Sequence, residues 1–557
     1  MTTESARRER TLLWVVCIAL AASYFFGIRS LPLRDYRETT YAEIGREMVE
    51  DGGWIVPHLN GTPHLDKPPL ALWGEAASLK TFGMHEGAAR IPSVLSILWT
   101  ALVLGWMTRS VFGTGAGICA ATLFLGCPGM QFYGRMLMTD TVFMACTITA
   151  MAAFVEGCIK ESRAWRLAGF AACGVSVLAR GPLGIIYPLG MLGLFILMTD
   201  RKAFWKIPWI SGGILFAVIA APWYLAIESK HPGFLKFFIV EHHLDRLASA
   251  AKHPFVAVPR WQIVLGFIGF MGPAAFALPL AKSGVRGERS TQFMFWIMAF
   301  LVMASVLVAN GRNHPYTFPA LPPLVGLAAA WFYNLRKHGE SRGERLVALL
   351  TGLIGGVILG AMLSVGKVMD AISPLLNNPE TRTVVSVCMG LVAVCIFMAA
   401  ILIWTKRGLA ACAAIAVMMF PGTFMLHHIQ GHLAPLKSRA YLAETIARDT
   451  PEDWPFFLVN PKDVLFEGVG GWDFYGNRRV SMVAAAGPPA GPFQGMTRPE
   501  WIIDKSDFLD FAASGSPFVL AATPDAVALL PELALGSPIA KDGMFSVWVV
   551  NGPLNRN

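Results

Sequence analysis

Long apolar stretches alternate with short polar connections along most of the chain, which is the pattern of helices that cross a membrane. Each stretch is about as long as the roughly 20 residues that a spanning helix needs. The pattern predicts thirteen spans. They lie near residues 12–28, 91–108, 115–131, 141–157, 166–180, 183–198, 208–226, 261–281, 292–309, 316–334, 346–366, 383–405 and 408–428.

Composition supports a multi-pass membrane protein. Of the 557 residues, 54% are hydrophobic and only 15% are charged, whereas soluble domains are about 25% charged. This excludes an ordinary soluble enzyme, a disordered protein and a coiled coil. The nine cysteines form no CxxC pair, so neither a disulfide framework nor a zinc ribbon is expected. The net charge of +9 gives no reason to expect a nucleic-acid partner.

The distribution of basic residues orients the spans. With the N-terminus in the cytoplasm, every inner connection is short and basic, as the positive-inside rule requires, and the C-terminus lies outside. The basic residues of the seven inner connections are Arg7, Arg8 and Arg10; Arg109; Lys160 and Arg163; Arg201, Lys202 and Lys206; Lys282, Arg286 and Arg289; Arg336, Lys337, Arg342 and Arg345; and Lys406 and Arg407.

Two long outer loops, about 29–90 and 227–260, remain outside the membrane. We therefore predict a transmembrane domain over 1–428, with its site on these loops, and a small extracytoplasmic α/β domain over 429–557. The tail alternates strand-like runs with helical patterns. The strand-like runs are Pro455–Asn460, Pro517–Ala522 and Phe545–Val550, and the helical patterns are Ser438–Asp449 and Lys505–Ala513.

Positive charges collect at the outer ends of the spans, where positive-inside bias disfavours them. The five are Lys67, Arg135, Arg180, Arg246 and Arg312. Ionisable groups at membrane depth usually have a partner, and the guanidinium fork matches phosphate oxygens. The group predicts a site for an anionic head group or phosphate. The alternative for each residue alone is a side chain that reaches toward the lipid head groups.

The first outer loop combines a surface helix with a charged corner. Residues Thr39–Asp51 have helical spacing, with Tyr41, Ile44 and Met48 on one apolar face, which suits a helix lying on the membrane surface. Asp35 and Glu38 precede that helix. Further on, Asp66 stands beside Lys67, followed by two prolines, which places an anion and a cation at a stiff corner.

The second outer loop contains a possible metal ligand set. On a helix, His242 and His243 share a face with Arg246, because they lie four and three residues before it. Histidine with a carboxylate can bind Zn²⁺ or another divalent ion, but a hydrogen-bonded structural histidine is equally consistent. No P-loop, HExxH, GxSxG or convincing GxGxxG motif occurs in the sequence, so no nucleotide site is expected.

Several motifs, in order along the chain, resemble the aminoarabinose lipid A transferase family. These are GT-C integral-membrane glycosyltransferases related to protein O-mannosyltransferases. The matching segments are Tyr41–Met48, Trp54–Gly61, Asp66–Leu70, Gly134–Asp140, Leu178–Pro182, Ala221–Tyr224, His243–Arg246 and Asn313–Tyr316. The resemblance implies a mainly helical GT-C fold with surface-lying outer helices and an extracytoplasmic C-terminal domain.

The resemblance also implies an activity: transfer of one sugar, an amino sugar such as aminoarabinose, from a polyprenyl (undecaprenyl) phosphate donor to lipid A. It implies a monomer in the bacterial inner membrane with a periplasmic site, surrounded by membrane lipids. The implied phosphate-binding residues are Lys67, Arg135, Arg246, Arg312 and Tyr316. Asp66, His243 and His242 would hold a divalent metal (Zn, Mg or Mn), and Asp35, Glu38 and Asp140 are the candidate catalytic carboxylates.

The chain departs from this family at several positions. Arg180 and Arg312 stand where lysine is common, and the residue before Lys67 is Asp66 in place of Glu. The family usually has adjacent Asp and Glu four and three residues before the Tyr of Tyr41-Ala-Glu, and here these positions are Arg37 and Glu38. A hydroxyl acceptor needs a general base, whereas a phosphate is already an anion and needs only positioning and charge screening. Arg37 therefore favours an anionic acceptor.

Two other functions are compatible with parts of the pattern. A related transferase would modify protein hydroxyls or another envelope glycan. A lipid transporter would show paired inverted halves and polar residues near the middle of the membrane. Neither feature is visible in the sequence, because the charges collect at the outer ends of the spans.

Overall fold

The computed structural model describes most of the chain and divides it into two compact units. The described residues are 3–199, 201–244, 258–281, 289–335, 342–376, 378–459, 469–485, 499–533, 535–542 and 544–552. The helical unit consists of Met1–Ile28, Leu65–Ala71 and Arg90–Ile429. The mixed unit consists of Arg29–His64, Leu72–Ala89 and Gln430–Asn557.

The chain is mainly helical. Its longer helices, some of which continue from one unit into the other, are Thr3–Ser23, Pro69–Phe82, Glu86–Phe112, Thr114–Leu125, Thr139–Ile159, Arg163–Arg180, Leu183–Met198, Trp209–Lys230, Arg260–Met271, Arg289–Val308, Leu321–Asn334, Arg342–Leu363, Pro379–Trp404, Gly408–Val417 and Met419–Lys437. Shorter ones are Pro128–Tyr133, Phe234–Lys236 and Val365–Ile372. Arg201–Lys206, Gly272–Leu280, His314–Ala320 and Pro374–Leu376 are 3₁₀ segments, and Phe237–Leu244 is a π-helix.

Helices cover most of each of the thirteen predicted apolar runs, although the first helix ends at Ser23 and the predicted run continues to residue 28. Within the described residues, eight helical segments are long and apolar enough to cross a membrane. They are Glu86–Phe112, Thr139–Ile159, Trp209–Lys230, Arg260–Leu280, Thr291–Val308, Arg342–Leu363, Pro379–Trp404 and Gly408–Lys437. Others, such as Thr114–Leu125 and Leu183–Met198, are apolar but shorter. The count of thirteen spans therefore stays a prediction.

Close helix packing in the helical unit depends on glycine. Helix Leu183–Met198 packs on helix Arg163–Arg180, and a Cβ atom on Gly184 would lie 2.5 Å from the carbonyl oxygen of Ser176. Helix Thr139–Ile159 also packs on Arg163–Arg180, and a Cβ atom on Gly169 would meet the Phe154 ring there at 2.5 Å. Small residues at such crossings let helix backbones approach closely.

The mixed unit contains a six-stranded sheet. Two short antiparallel strands, β1 (His58–Leu59) and β2 (Thr62–Pro63), form a separate hairpin. The sheet strands are β3 (Phe456–Val459), β4 (Val480–Ala484), β5 (Ile502–Asp504), β6 (Phe518–Ala522), β7 (Ala540–Lys541) and β8 (Ser546–Val550). Their order is β5-β4-β3-β6-β8-β7, parallel from β5 to β6 and antiparallel at β8 and β7.

Two apolar clusters of the mixed unit combine residues of its helices with residues that alternate along its strands. These helices are Glu38–Glu50, Ala440–Asp449, Gly470–Gly476, Lys505–Ala513 and Pro524–Val527. One cluster centres on Trp472 and includes Phe456 of β3. The other centres on Phe508 and includes Phe457, the next residue of the same strand. Successive strand residues point to opposite faces, so the clusters lie on the two faces of the sheet.

The first outer loop differs from its predicted environment. Its helix begins and ends close to the predicted bounds, at Glu38 and Glu50. However, Ile44 and Met48 are fully buried in the same apolar cluster as Trp472, so this stripe packs inside the mixed unit and does not lie on a membrane surface. Most of loop 29–90 belongs to the same unit as the tail, and the predicted domain boundary at residue 428 stays a prediction.

Candidate functional site

A cavity of about 150 Å³ lies in the helical unit and collects charged side chains from distant parts of the chain. Its charged and phenolic lining residues are Asp66, Lys67, Asp140, Arg180, Tyr187 and Tyr316. Four of these, Asp66, Lys67, Asp140 and Tyr316, were predicted as site residues. The structure therefore brings together a large part of the predicted site.

Two helix ends position the pair Asp140 and Arg180. Asp140 lies in the first turn of helix Thr139–Ile159, and Arg180 is the last residue of helix Arg163–Arg180. Because a short connection joins these packed helices, the start of the first and the end of the second face the same side. An acid suits a helix N-terminus and a base suits a C-terminus. Gly181, with φ of 66°, ends the second helix.

Two prolines restrict the backbone next to the pair Asp66 and Lys67. Lys67 is followed by Pro68 and Pro69, and Pro69 begins helix Pro69–Phe82. Proline is favourable at the first helical position because its missing N–H would have no helical partner there. The ring also restricts the backbone of the residue before it. Lys67 and Asp66 therefore project from a stiff corner, as the sequence predicted.

Each cation of the cavity is paired with a carboxylate. Lys67 forms an ion pair with Asp66, and Arg180 forms one with Asp140. The Arg180 guanidinium also lies 4.7 Å from the centre of the Tyr316 ring, within the range of a cation–π interaction. Two cations and two carboxylates thus share one small cavity, so a bound phosphate would exchange partners with the carboxylates.

An apolar wall completes the cavity. Phe143, Leu183, Phe238, Val306 and Ala309 contribute to it. Within this wall, the hydroxyl groups of Tyr187 and Ser305 lie 2.7 Å apart in a hydrogen bond. A charged end beside an apolar wall suits an amphipathic ligand whose head group is anionic.

Sequence reasoning missed part of this lining. Tyr187 lies inside an apolar run and carries no motif of its own, and Ser305 is equally inconspicuous. A usable signal was the spacing from Leu183 to Tyr187, because residues four apart share a helix face. The sequence predicts Arg180 as one of the five outer cations and as part of the segment Leu178–Pro182, but not as a phosphate-binding residue, and the structure places it in the cavity.

Two other predicted phosphate ligands are not among the described residues that line this cavity. Arg312 donates hydrogen bonds to the backbone carbonyls of Val258, at 3.1 Å, and Ala309, at 2.5 Å. Arg135 donates to the carbonyl of Phe26. Their predicted role in binding the donor phosphate stays a prediction.

The predicted catalytic carboxylates Asp35 and Glu38 belong to the mixed unit. Asp35 is buried and forms an ion pair with Arg439 at 3.3 Å. Arg439 also forms an ion pair with Asp542 at 2.9 Å. Burial raises the pKa of Asp35 to about 7, against the opposing effect of Arg439. Glu38 is fully buried and accepts a hydrogen bond from the backbone N–H of Arg34 at 3.0 Å. Their catalytic roles remain predictions.

The two histidines of the predicted metal site have side chains outside the described residues. His242 and His243 belong to the π-helix Phe237–Leu244, but their side chains are outside the described residues, and Arg246 is wholly outside them. Within the described ranges, no three His, Cys, Asp or Glu side chains converge in a way that could hold a metal ion.

Sequence comparisons relate the chain to transferases that use lipid-linked sugars. Residues 66–225 match the family described as dolichyl-phosphate-mannose-protein mannosyltransferase. An undecaprenyl phosphate-α-4-amino-4-deoxy-L-arabinose arabinosyl transferase of Aeromonas salmonicida is 27% identical over 369 residues, or 63% of this chain and 65% of the relative. The enzyme of the same name from Edwardsiella ictaluri is 29% identical over 57% of this chain and 59% of its own. The chain thus spans less than two thirds of either relative.

Structural comparison covers nearly the whole chain. The crystal structure of ArnT from Cupriavidus metallidurans bound to undecaprenyl phosphate has a TM-score of 0.83, with 23% sequence identity, over 96% of this chain and 98% of that one. The chain has the ArnT fold. The apo ArnT structure from the same organism gives a TM-score of 0.81. The resemblance found in the motifs is thereby confirmed.

Most of the charged cavity residues come from the region that matches the mannosyltransferase family. The segments that supply Asp66, Asp140 and Arg180 fall inside the region that matches the mannosyltransferase family, residues 66–225. Tyr316 comes from a later 3₁₀ segment, His314–Ala320. The charged end of the cavity is therefore built mainly from the part of the chain that both comparisons share.

Proposed function

We propose that the protein is an inner-membrane glycosyltransferase. It transfers a sugar, an amino sugar such as aminoarabinose, from undecaprenyl phosphate to a phosphate group of lipid A on the periplasmic face. The observation that carries this proposal is the cavity in the ArnT fold, where Lys67 and Arg180 lie beside an apolar wall. That combination suits a lipid phosphate, because Lys and Arg are the usual phosphate partners.

In the proposed reaction, an oxygen of the acceptor phosphate attacks the anomeric carbon of the sugar. The bond from that carbon to the donor phosphate oxygen breaks, and its electron pair leaves with undecaprenyl phosphate. Lys67 and Arg180 would stabilise the charge that develops on this leaving group. Asp140 and the Tyr316 ring would orient the Arg180 guanidinium.

An anionic acceptor removes the need for a general base. The phosphate oxygen is already deprotonated, so the site must supply only alignment and charge screening. The presence of Arg37 where the family usually has Asp supports this assignment. If a carboxylate does act, Glu38, Asp35 and Asp140 remain the candidates.

The finer architecture belongs to the same proposal. The chain crosses the membrane thirteen times with its N-terminus in the cytoplasm, and residues 429–557 contribute a periplasmic α/β domain. Basic residues in the seven inner connections support this orientation. The protein acts as a monomer. A divalent ion held by Asp66 and His243, with His242, stays a prediction, and chelation followed by addition of Zn²⁺, Mg²⁺ or Mn²⁺ tests it.

Mass spectrometry of lipid A tests the function. Cells that lack the gene would be complemented with the natural protein, Lys67→Gln or Lys80→Gln. Lys80 is an exposed residue near the same loop and serves as the matched control. We expect a sugar-sized mass increase on lipid A phosphate with the natural protein and Lys80→Gln, and its loss with Lys67→Gln. Unchanged lipid A in all strains would contradict the proposal.

A second candidate acceptor is protein. The match of residues 66–225 to a family described as protein mannosyltransferases favours this alternative. In that case the same strains would show unaltered lipid A and a sugar on envelope proteins that depends on Lys67. The donor chemistry would be retained, and only the acceptor would change.

A further inference from the structure

A second group of basic side chains surrounds one turn of the helical unit. The turn is Phe26–Ile28, which follows the first helix. Arg135 donates to the carbonyl of Phe26, and Arg90 donates to the carbonyl of Ile28 at 2.8 Å. The His427 ring lies 5.4 Å from the Phe26 ring, centre to centre, and touches the position of a Cβ on Gly27. We call Arg90, Arg135 and His427 the basic cluster.

The backbone holds Arg135 in place. Gly134 precedes it, and a Cβ atom there would lie 2.6 Å from both Ile97 Cγ1 and the carbonyl oxygen of Met130. Only glycine fits such a close approach. The Arg135 guanidinium also lies 5.8 Å above the Phe26 ring. The side chain is therefore positioned by packing and does not move freely at the surface.

Helix capping alone does not account for Arg135. Arginine often binds the last carbonyls of a helix, and the contact with Phe26 has that character. Yet a guanidinium carries five N–H donors, and within the described residues this one makes a single hydrogen bond, with its Nε buried and unpartnered. Burial lowers the pKa of Arg135 to about 10, with Tyr24 opposing and the positive charge of Arg90 adding to the effect. The group stays charged at neutral pH and has unused donors.

The surroundings of the basic cluster are apolar. The side chains of Phe26 and Phe424 are each 48% exposed, and their rings lie 6.4 Å apart. Cations beside exposed aromatic rings suit a ligand with both a phosphate and a hydrocarbon chain. A free inorganic phosphate would gain nothing from the two rings.

The cavity lined by Lys67 and Arg180 binds the donor phosphate in the proposed function, and we call it the donor cavity. The basic cluster is near this cavity in sequence but is separate from it. Arg135 and Asp140 are five residues apart, so their Cα atoms lie within roughly 18 Å, yet Arg135 does not line the cavity. Lipid A carries phosphate groups at both ends of its sugar backbone. We propose that the basic cluster binds the phosphate of lipid A that does not react, while the other phosphate meets the donor. This assignment rests on the function proposed above.

Binding measurements with the full chain in nanodiscs test this assignment. The probes are bisphosphorylated lipid A, monophosphorylated lipid A and undecaprenyl phosphate. The natural protein should bind the bisphosphorylated form about tenfold more tightly than the monophosphorylated form, the size of one charge-assisted contact. Arg135→Gln should abolish that ratio while leaving undecaprenyl phosphate binding unchanged. Arg135→Lys should restore part of the ratio, because it restores the charge.

Lys67→Gln should change the two binding measurements in the opposite way to Arg135→Gln. It should weaken binding of undecaprenyl phosphate and leave the ratio between the two lipid A forms intact. If Arg135→Gln does not fold, Arg135→Met replaces it, because it keeps an apolar stem beside the Phe26 ring and removes the charge; the same loss of the ratio is expected. A ratio that survives these substitutions in folded protein overturns the proposal, as does equal competition by phosphatidic acid, which would make the basic cluster a general lipid-phosphate site.

The inference and the proposed function can fail separately. If lipid A is modified in cells but the ratio does not depend on Arg135, the inference is wrong and the function stands. If the ratio depends on Arg135 but no sugar reaches lipid A, phosphate recognition stands and the transferase assignment is wrong.

Discussion

Arg180 shows how a single side chain can organise the donor cavity. It pairs with Asp140, lies over the Tyr316 ring and ends its own helix. The helix end sets where the side chain begins, and the ion pair and the ring contact restrict the position of the guanidinium group. A fixed cation stabilises a developing charge better than a mobile one, because it does not reorganise during the reaction.

Substitution of Tyr316 tests the ring contact. Tyr316→Leu should lower kcat/KM several-fold, because the cation–π interaction contributes about 0.5–2 kcal/mol. Tyr316→Phe keeps the ring and should retain most of the activity if the ring is what matters. Rates of sugar transfer from purified donor to acceptor give the comparison. Equal losses in the two variants would assign the role to the hydroxyl group instead.

Glu75 makes the stability of the mixed unit depend on pH. It is fully buried, and neither carboxyl oxygen has a hydrogen-bond partner among the described residues. Burial, and then the negative charge of Glu38, raise the pKa of Glu75 well above its ordinary value of 4.5. The folded state thus binds a proton that the unfolded state releases, so stability should fall as pH rises above about 4.5.

Glu75→Gln should remove this loss, because the amide is neutral at every pH and has a similar shape. We expect a higher unfolding midpoint than the natural protein at pH 8 and little difference at pH 4. Thermal unfolding followed by tryptophan fluorescence measures both. Glu500→Gln, at an exposed position, is the control and should change neither midpoint. A fall in the midpoint of Glu75→Gln at pH 8 would contradict a protonated Glu75.

At the scale of elements, apolar runs made the helices predictable, but not their partners. Each predicted run is mostly helical, as expected because a backbone in lipid must satisfy its own hydrogen bonds. The helix of the first outer loop was also placed correctly, at Glu38–Glu50. Its stripe of Ile44 and Met48 is equally suited to a membrane surface or a protein core, so the pattern could not distinguish these environments. Packing in the mixed unit decides it.

Two glycines of one helix provide a matched test of helix packing. In Gly184→Ala, the new Cβ would lie 2.4 Å from the Ser176 carbonyl carbon, and backbone cannot yield as a side chain can. Overpacking of this kind costs about 1–3 kcal/mol. Gly193, on the same helix, has no atom of a described residue within 4 Å of its Cβ position, so Gly193→Ala should be neutral or slightly stabilising.

Unfolding midpoints and undecaprenyl phosphate binding measure both variants. Because Gly184 follows Leu183, which lines the cavity, Gly184→Ala should weaken donor binding as well as stability. Equal midpoints for the two alanine variants would mean that the helices separate at little cost.

At the scale of the molecule, the sequence predicts two regions but not which segments each compact unit contains. The predicted boundary at residue 428 rests on the end of the last apolar run. The inclusion of residues 29–64 and 72–89 with the tail depends on contacts between segments about 400 residues apart, such as Leu33 N–H donating to the Tyr475 hydroxyl at 2.7 Å. No local pattern contains such information. The donor cavity was more predictable, because Lys67 and Asp140 carry recognisable motifs.

The shared core of the mixed unit should couple its two distant parts. Trp472 is buried, and its ring lies 5.4 Å from that of Phe456 and 5.5 Å from that of Phe545. Trp472→Ala should cost about 3–5 kcal/mol and raise hydrogen exchange in helix Glu38–Glu50 as well as in the strands. Trp205→Ala is the control, because Trp205 is 84% exposed. Faster exchange in the strands alone would show that the first loop is stable independently.

The paired charges of the cavity also bear on turnover under the proposed function. A phosphate that enters competes with Asp66 for Lys67 and with Asp140 for Arg180, so its net affinity would be smaller than two unpaired cations would give. After sugar transfer, the same carboxylates would pair again with their cations. This competition would limit the affinity for the undecaprenyl phosphate product, and its release would restore both ion pairs.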